Sequence, residues 1–128
     1  MDDKVNYWLE LAEYDIETAK AMLSTGRYLY VGFICHQVIE KTIKAAITKL
    51  TQEAAPRSHN LSILARTSGL YDKMSEEQKD LLDLLEPLNV EARYPTDKER
   101  IMKSLTLERC KKILSQTEEM RIWIVTQL

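Results

Sequence analysis

Apolar residues recur every three or four positions through four stretches of this sequence, and almost nothing interrupts them. Over residues 3–24 the stripe is Val5, Trp8, Leu9, Ala12, Ile16, Ala19 and Leu23, with Glu10, Glu13, Glu17 and Lys20 largely off it. That spacing predicts an amphipathic helix. Ser24-Thr25-Gly26 ends it, with Gly26 placed to take the left-handed conformation. Over 28–51 the stripe is Val31, Ile34, Cys35, Val38, Thr42, Ala45, Ala46 and Leu50. This is the longest and most apolar helix, so it belongs at the centre. Gly32 within it costs about 1 kcal/mol relative to Ala, and lets another helix approach closely. Three glycines and three prolines in 128 residues cannot mark the many turns of an all-β sandwich or barrel. They are enough for the joints of a few helices.

Pro56 cannot continue the second helix. Asn60 or Ser58 is placed to cap a short third helix through Leu61, Ile63, Leu64 and Ala65, stopping near Gly69. Ser75-Glu76-Glu77-Gln78 has the form of a capping box and opens a fourth helix with Leu81, Leu82, Leu84, Leu85 and Leu88. Pro87 should kink or end that helix. Residues 91–105 look least regular. Thr106 is placed to cap a last helix through Leu107, Cys110, Ile113, Leu114, Met120 and Ile124, reaching about Gln127. The expectation is an all-α, up-and-down four-helix bundle with one additional short helix, forming a single domain over residues 1–128.

Several chemistries lack their residues. Net charge is −2, so a globally basic nucleic-acid binder is not indicated, although a local basic patch is compatible with it. Cys35 and Cys110 have no C-x-x-C spacing and read as small buried thiols. The first residues do not form a signal peptide, and no run of 18 apolar residues spans a membrane, so the expected compartment is the cytoplasm. His36 and His59 stand 23 positions apart, without metal-ligand spacing. No glycine-rich phosphate loop and no G-x-S-x-G elbow is present. No cofactor, metal or catalytic residue is assigned.

Three places invite a functional reading. Asp15 sits at the edge of the first stripe, as a boundary carboxylate or a partner for a cation from another helix. Gln37, Glu40 and Lys44 share a face of the second helix. They form either a solvated ion pair with a polar neighbour, or a seam facing a groove or second subunit. Arg93-Tyr94-Pro95 reads as an extended exit, because a residue before proline leaves the α region. Arg93, Lys98, Arg100 and Lys103 make a basic run there, suited to phosphate, and Tyr94 could stack on a base or close the bundle end. His59 is either a joint residue or a group titrating near neutrality.

These residues, in order, resemble the HEPN family, small helical bundles named for higher eukaryotic and prokaryotic nucleotide binding. The parts are Trp8-x-x-x-Ala12-x-x-Asp15-x-x-x-Ala19, Tyr28 to Phe33, and His36-Gln37-x-x-Glu40-Lys41-x-x-Lys44-Ala45. His59-x-Leu61-x-x-Leu64 and Ala92-Arg93-Tyr94-Pro95 follow. The resemblance implies an up-and-down bundle. Many family members are metal-independent ribonucleases with an Arg followed, after four to six residues, by a His. No His follows Arg93 or Arg100 here, and neither Arg27 to His36 nor Arg57 to His59 has that gap. Ribonuclease activity, general acid–base work included, is the least expected outcome.

The first expectation is a non-catalytic module binding nucleotide or RNA phosphate as a homodimer. Arg93, Tyr94, Lys44 and His59 would line the site, and Asp15, Gln37 and Glu40 would support it. The alternative is an interaction subunit for a separate minimal nucleotidyltransferase, of the toxin–antitoxin type. The chain has no nucleotidyltransferase segment of its own.

Overall fold

A computed structural model describes residues 2–90 and 94–128. Six α-helices follow one another: α1 (Asp3–Ser24), α2 (Tyr28–Thr51), α3 (Leu61–Ser68), α4 (Glu76–Leu85), α5 (Pro95–Ser104) and α6 (Leu107–Thr126). Two 3₁₀ turns, Tyr71–Lys73 and Glu86–Leu88, flank α4. Among the described residues there is no strand.

The helices begin where short polar side chains satisfy the first backbone N–H groups. Asp2 accepts from the Lys4 N–H, Asn60 from Ile63 and Thr106 from Arg109. At α4 the capping box is complete: the Gln78 N–H donates to Ser75 Oγ at 3.1 Å, and the Ser75 N–H to Gln78 Oε1 at 2.9 Å. Gly26 and Gly69 take φ of 76° and 82° after α1 and α3, a region open to glycine without steric cost. Pro87 ends α4, whose last turn tightens into the Glu86–Leu88 3₁₀ turn.

Four helices alternate in direction. A short link joins α1 to α2, and Asp15 of α1 meets Lys41 of α2, so the two are antiparallel. Cys110, at the start of α6, lies 3.7 Å from the Tyr28 carbonyl at the start of α2, and Thr117 lies beside Cys35. Helix α6 therefore runs parallel to α2. Ser75 and Gln78 share a groove with Gln116 and Glu119, whereas Leu84 shares one with Arg109 and Lys112, so α4 opposes α6. This is an up-down-up-down bundle.

Helix α2 is the central post, with Val31, Cys35, Val38, Ile39, Ile43, Ala46 and Ile47 all buried. Gly32 marks a close approach: a Cβ there would stand 3.0 Å from Leu88 Cδ1 and 3.3 Å from Leu105 Cδ1.

One expectation is corrected. Residues 95–104 are not irregular but form α5, a second short helix. Tyr94 is extended (φ −73°, ψ 156°), as a residue before proline should be, and Pro95 occupies the first helical position. No residue of α5 is buried, so it carries no apolar stripe to announce it.

Candidate functional site

The middle of α2 carries His36, Glu40 and Lys44 at one-turn intervals, all facing inward. Glu40 is the hub. Its Oε2 accepts from Lys44 Nζ at 3.1 Å and lies 3.0 Å from His59 Nδ1. Its Oε1 stands 3.7 Å from His36 Nδ1. The Lys44 and Glu40 side chains are only 7% and 5% exposed, so the solvated ion pair expected from the sequence is corrected to a buried one. Lys44 Nζ also lies 5.5 Å from the centre of the Trp8 ring on α1, a cation–π contact.

His36 is fully buried, and neither ring nitrogen has a hydrogen-bond partner. On its far side Nε2 stands 3.6 Å from Glu86 Oε2. The other Glu86 oxygen accepts from the Leu61 N–H at 3.1 Å, satisfying an open donor at the start of α3. Burial pushes the His36 pKa down from 6.5, while Glu40 and Glu86 pull against that shift. Helix α2, the His59 connector, the start of α3 and the Glu86 turn thus meet on one polar chain.

His59 is the exposed end of this chain, its side chain 65% accessible. Accepting from Nδ1, Glu40 fixes the tautomer that leaves the other ring nitrogen as an acceptor. The Lys44 charge, by contrast, is already matched by Glu40.

The remaining site residues are dispersed. Asp15 Oδ2 accepts from Lys41 Nζ at 2.5 Å, pinning α1 to α2. Gln37 is half-buried and makes no side-chain hydrogen bond among the described residues. Tyr94 is 78% exposed where α5 begins. Arg93 lies outside the described residues, and so does its proposed role. The basic run otherwise falls on α5. There Arg100 pairs with Asp97, and together with Ser104 they line a groove of about 470 Å³ that Arg109 of α6 and Pro87 complete.

Sequence reasoning missed His36, Glu86 and Arg109 as site residues. His36 stands one turn before Glu40, a spacing available from the sequence. Glu86 and Arg109 come to their places only through tertiary packing. Among the described residues, no group of three or more His, Cys, Asp or Glu could hold a metal ion, and no helix is long and apolar enough to cross a membrane.

The model of the HEPN domain matches residues 5–128. TT1696 from Thermus thermophilus has a similar fold, with a TM-score of 0.82 at 17% identity over 99% of this chain and 100% of that one. ST0689, an archaeal HEPN homologue, superposes with a TM-score of 0.66 at 20% identity over 99% and 98% of the two chains. At these identities the likeness concerns the fold. No curated protein matches the sequence.

Proposed function

Because this chain belongs to the HEPN domain family, we propose that it is a non-catalytic module binding the phosphate of a nucleotide or RNA, and that it works as a homodimer. The observation that carries this reading is the groove between α5 and α6. It brings Arg100, Ser104 and Arg109 to one opening, where Asp97 also stands, paired with Arg100. Among the described residues Arg109 forms no ion pair, so its fork is available to a phosphate. The first turn of α6 adds its own favourable field for an anion. Lys44 is left out of this site because its ammonium is buried against Glu40.

A second reading, docking on a separate protein chain such as a nucleotidyltransferase, draws on exposed apolar groups near the same end. Tyr30, Met102 and Leu107 are each at least 40% accessible, and Tyr30 and Met102 line one groove with Leu105.

Anisotropy of a labelled short RNA, read at two salt concentrations, tests the first reading. Arg109→Glu and Arg100→Glu should each weaken binding and flatten its salt dependence, with the melting temperature unchanged because both side chains lie at the surface. Binding that survives the double reversal would place the site elsewhere. Sedimentation of the unliganded protein checks the dimer.

A further inference from the structure

We propose that residues 52–60 form a strap that is released by mild acid, with His36 beneath it as the proton sensor. Helix α2 stops at Thr51 and α3 begins at Leu61, and no residue between them is buried. Gln52, where the strap leaves α2, holds φ at 62°, a left-handed conformation uncommon for a residue other than glycine. Two contacts fasten the far end. Glu40 Oε2 lies 3.0 Å from His59 Nδ1, and Glu86 Oε1 accepts from the Leu61 N–H at 3.1 Å. A segment held by so few contacts opens at lower cost than the core around it.

Both fastening carboxylates meet at one ring. The second oxygen of Glu40 stands 3.7 Å from His36 Nδ1, and that of Glu86 stands 3.6 Å from His36 Nε2. Each distance is longer than a hydrogen bond. Glu40 is moreover already matched by Lys44 at 3.1 Å. The path from the ring to water leads past these fastenings, because the His59 and Glu86 side chains are 65% and 31% accessible. A proton arriving on His36 in the closed form creates a charge with no exposed surface and no hydrogen bond of its own, which a protein interior tolerates poorly. The groups that act on this charge come from three elements. Glu40 of α2 and Glu86 of the 3₁₀ turn favour it, His59 of the strap opposes it, and burial outweighs the two carboxylates. Opening the strap admits water to the ring. The open form therefore takes the proton first, and by linkage acid favours the open form. Above about pH 6.5 the ring is neutral in both forms and the strap stays shut. Opening uncovers an imidazole, a carboxylate and an ammonium that the closed form seals off.

The α5–α6 groove plays no part in this device, so what that groove binds has no bearing on the test. Amide hydrogen exchange is followed residue by residue by NMR and corrected for the intrinsic pH dependence of exchange. Protection of the Leu61 amide should fall severalfold, up to about tenfold, between pH 7.5 and 5.5, because one proton changes an equilibrium by at most about tenfold per pH unit. At either pH Leu61 should be at least about tenfold less protected than amides in the middle of α6, which marks release of the strap and not global unfolding. His59→Gln removes one fastening, so Leu61 should exchange faster at both pH values and still respond to acid. His36→Gln should remove the response. Where that variant does not fold, the His36 ring signals of the wild-type protein decide, since their midpoint should coincide with that of the lost protection. Protection at Leu61 that ignores pH or equals that of α6 would overturn the proposal. So would a response that persists in His36→Gln, or two midpoints that differ.

Discussion

Glu40, the partner of Lys44, His59 and His36, decides how this part of the core tolerates change. With Lys44 it forms a buried pair, and removing one member of such a pair leaves the other charge uncompensated. Glu40→Ala should therefore cost about 3–5 kcal/mol in denaturant unfolding. The double change Glu40→Leu, Lys44→Met should cost much less, because neither charge remains. His36 adds a pH dependence of definite sign. Its folded pKa lies below 6.5, so on acidification the unfolded chain takes up a proton that the folded chain resists. Stability is then full above about pH 6.5 and falls as the pH drops toward the folded value, by at most about 1.4 kcal/mol per pH unit. Glu40 and Glu86 oppose the downward shift and temper the slope, whereas the neighbouring His59 adds to it. Melting temperatures between pH 8 and 5.5 should fall less steeply in His36→Gln. At this scale the sequence was only partly legible. The spacing of Glu40 and Lys44 was visible, but their burial depends on the His59 connector and the Glu86 turn, which no local pattern announces.

At the scale of helices, boundaries were legible wherever local chemistry sets them. Gly26, Asn60, Ser75 with Gln78, and Thr106 each act on groups within a few residues, so their effect can be recognised from spacing alone. Helix α5 escaped because the main signal of helicity is an apolar stripe, and α5 has no fully buried residue, Ile101 packing against the core only in part. Pro95 at its first position was the surviving clue. Gly32 was legible as a close approach, and the structure supplies the neighbours. Gly32→Ala gains helix propensity of about 1 kcal/mol but presses a methyl group toward Leu88 and Leu105, so the two effects should nearly cancel. Gly32→Val adds two further branches and should destabilise by about 2 kcal/mol, measured by the shift in denaturant midpoint.

At the scale of the molecule, α2 touches the other parts of the bundle and carries both the apolar core and the polar chain. A chain organised around one post should unfold as one unit. Helicity by circular dichroism and the fluorescence of Trp8 and Trp123, which sit in the first and last helices, should lose signal at one common midpoint. Separate midpoints would divide the chain into two cooperative parts. The up-and-down bundle itself was legible, because long amphipathic helices on short joints have few other ways to bury their stripes. The groove of Arg100 and Arg109 was not, since it joins the surfaces of two helices whose packing angle no pattern in the chain specifies.

Cys35 lies in the middle of the post with no exposed surface, and burial pushes its thiol pKa up to about 12. Cys110 is shifted in the same direction by the same cause. Thiolate is the form that reacts with maleimides and iodoacetamides, so neither native sulfur should compete for such reagents while the bundle is folded. The wild-type protein is thus its own blank background for labelling. A cysteine introduced at an exposed position such as Tyr94 or Arg109 would take a dye or spin label alone, and the native thiols would react only as the core opens.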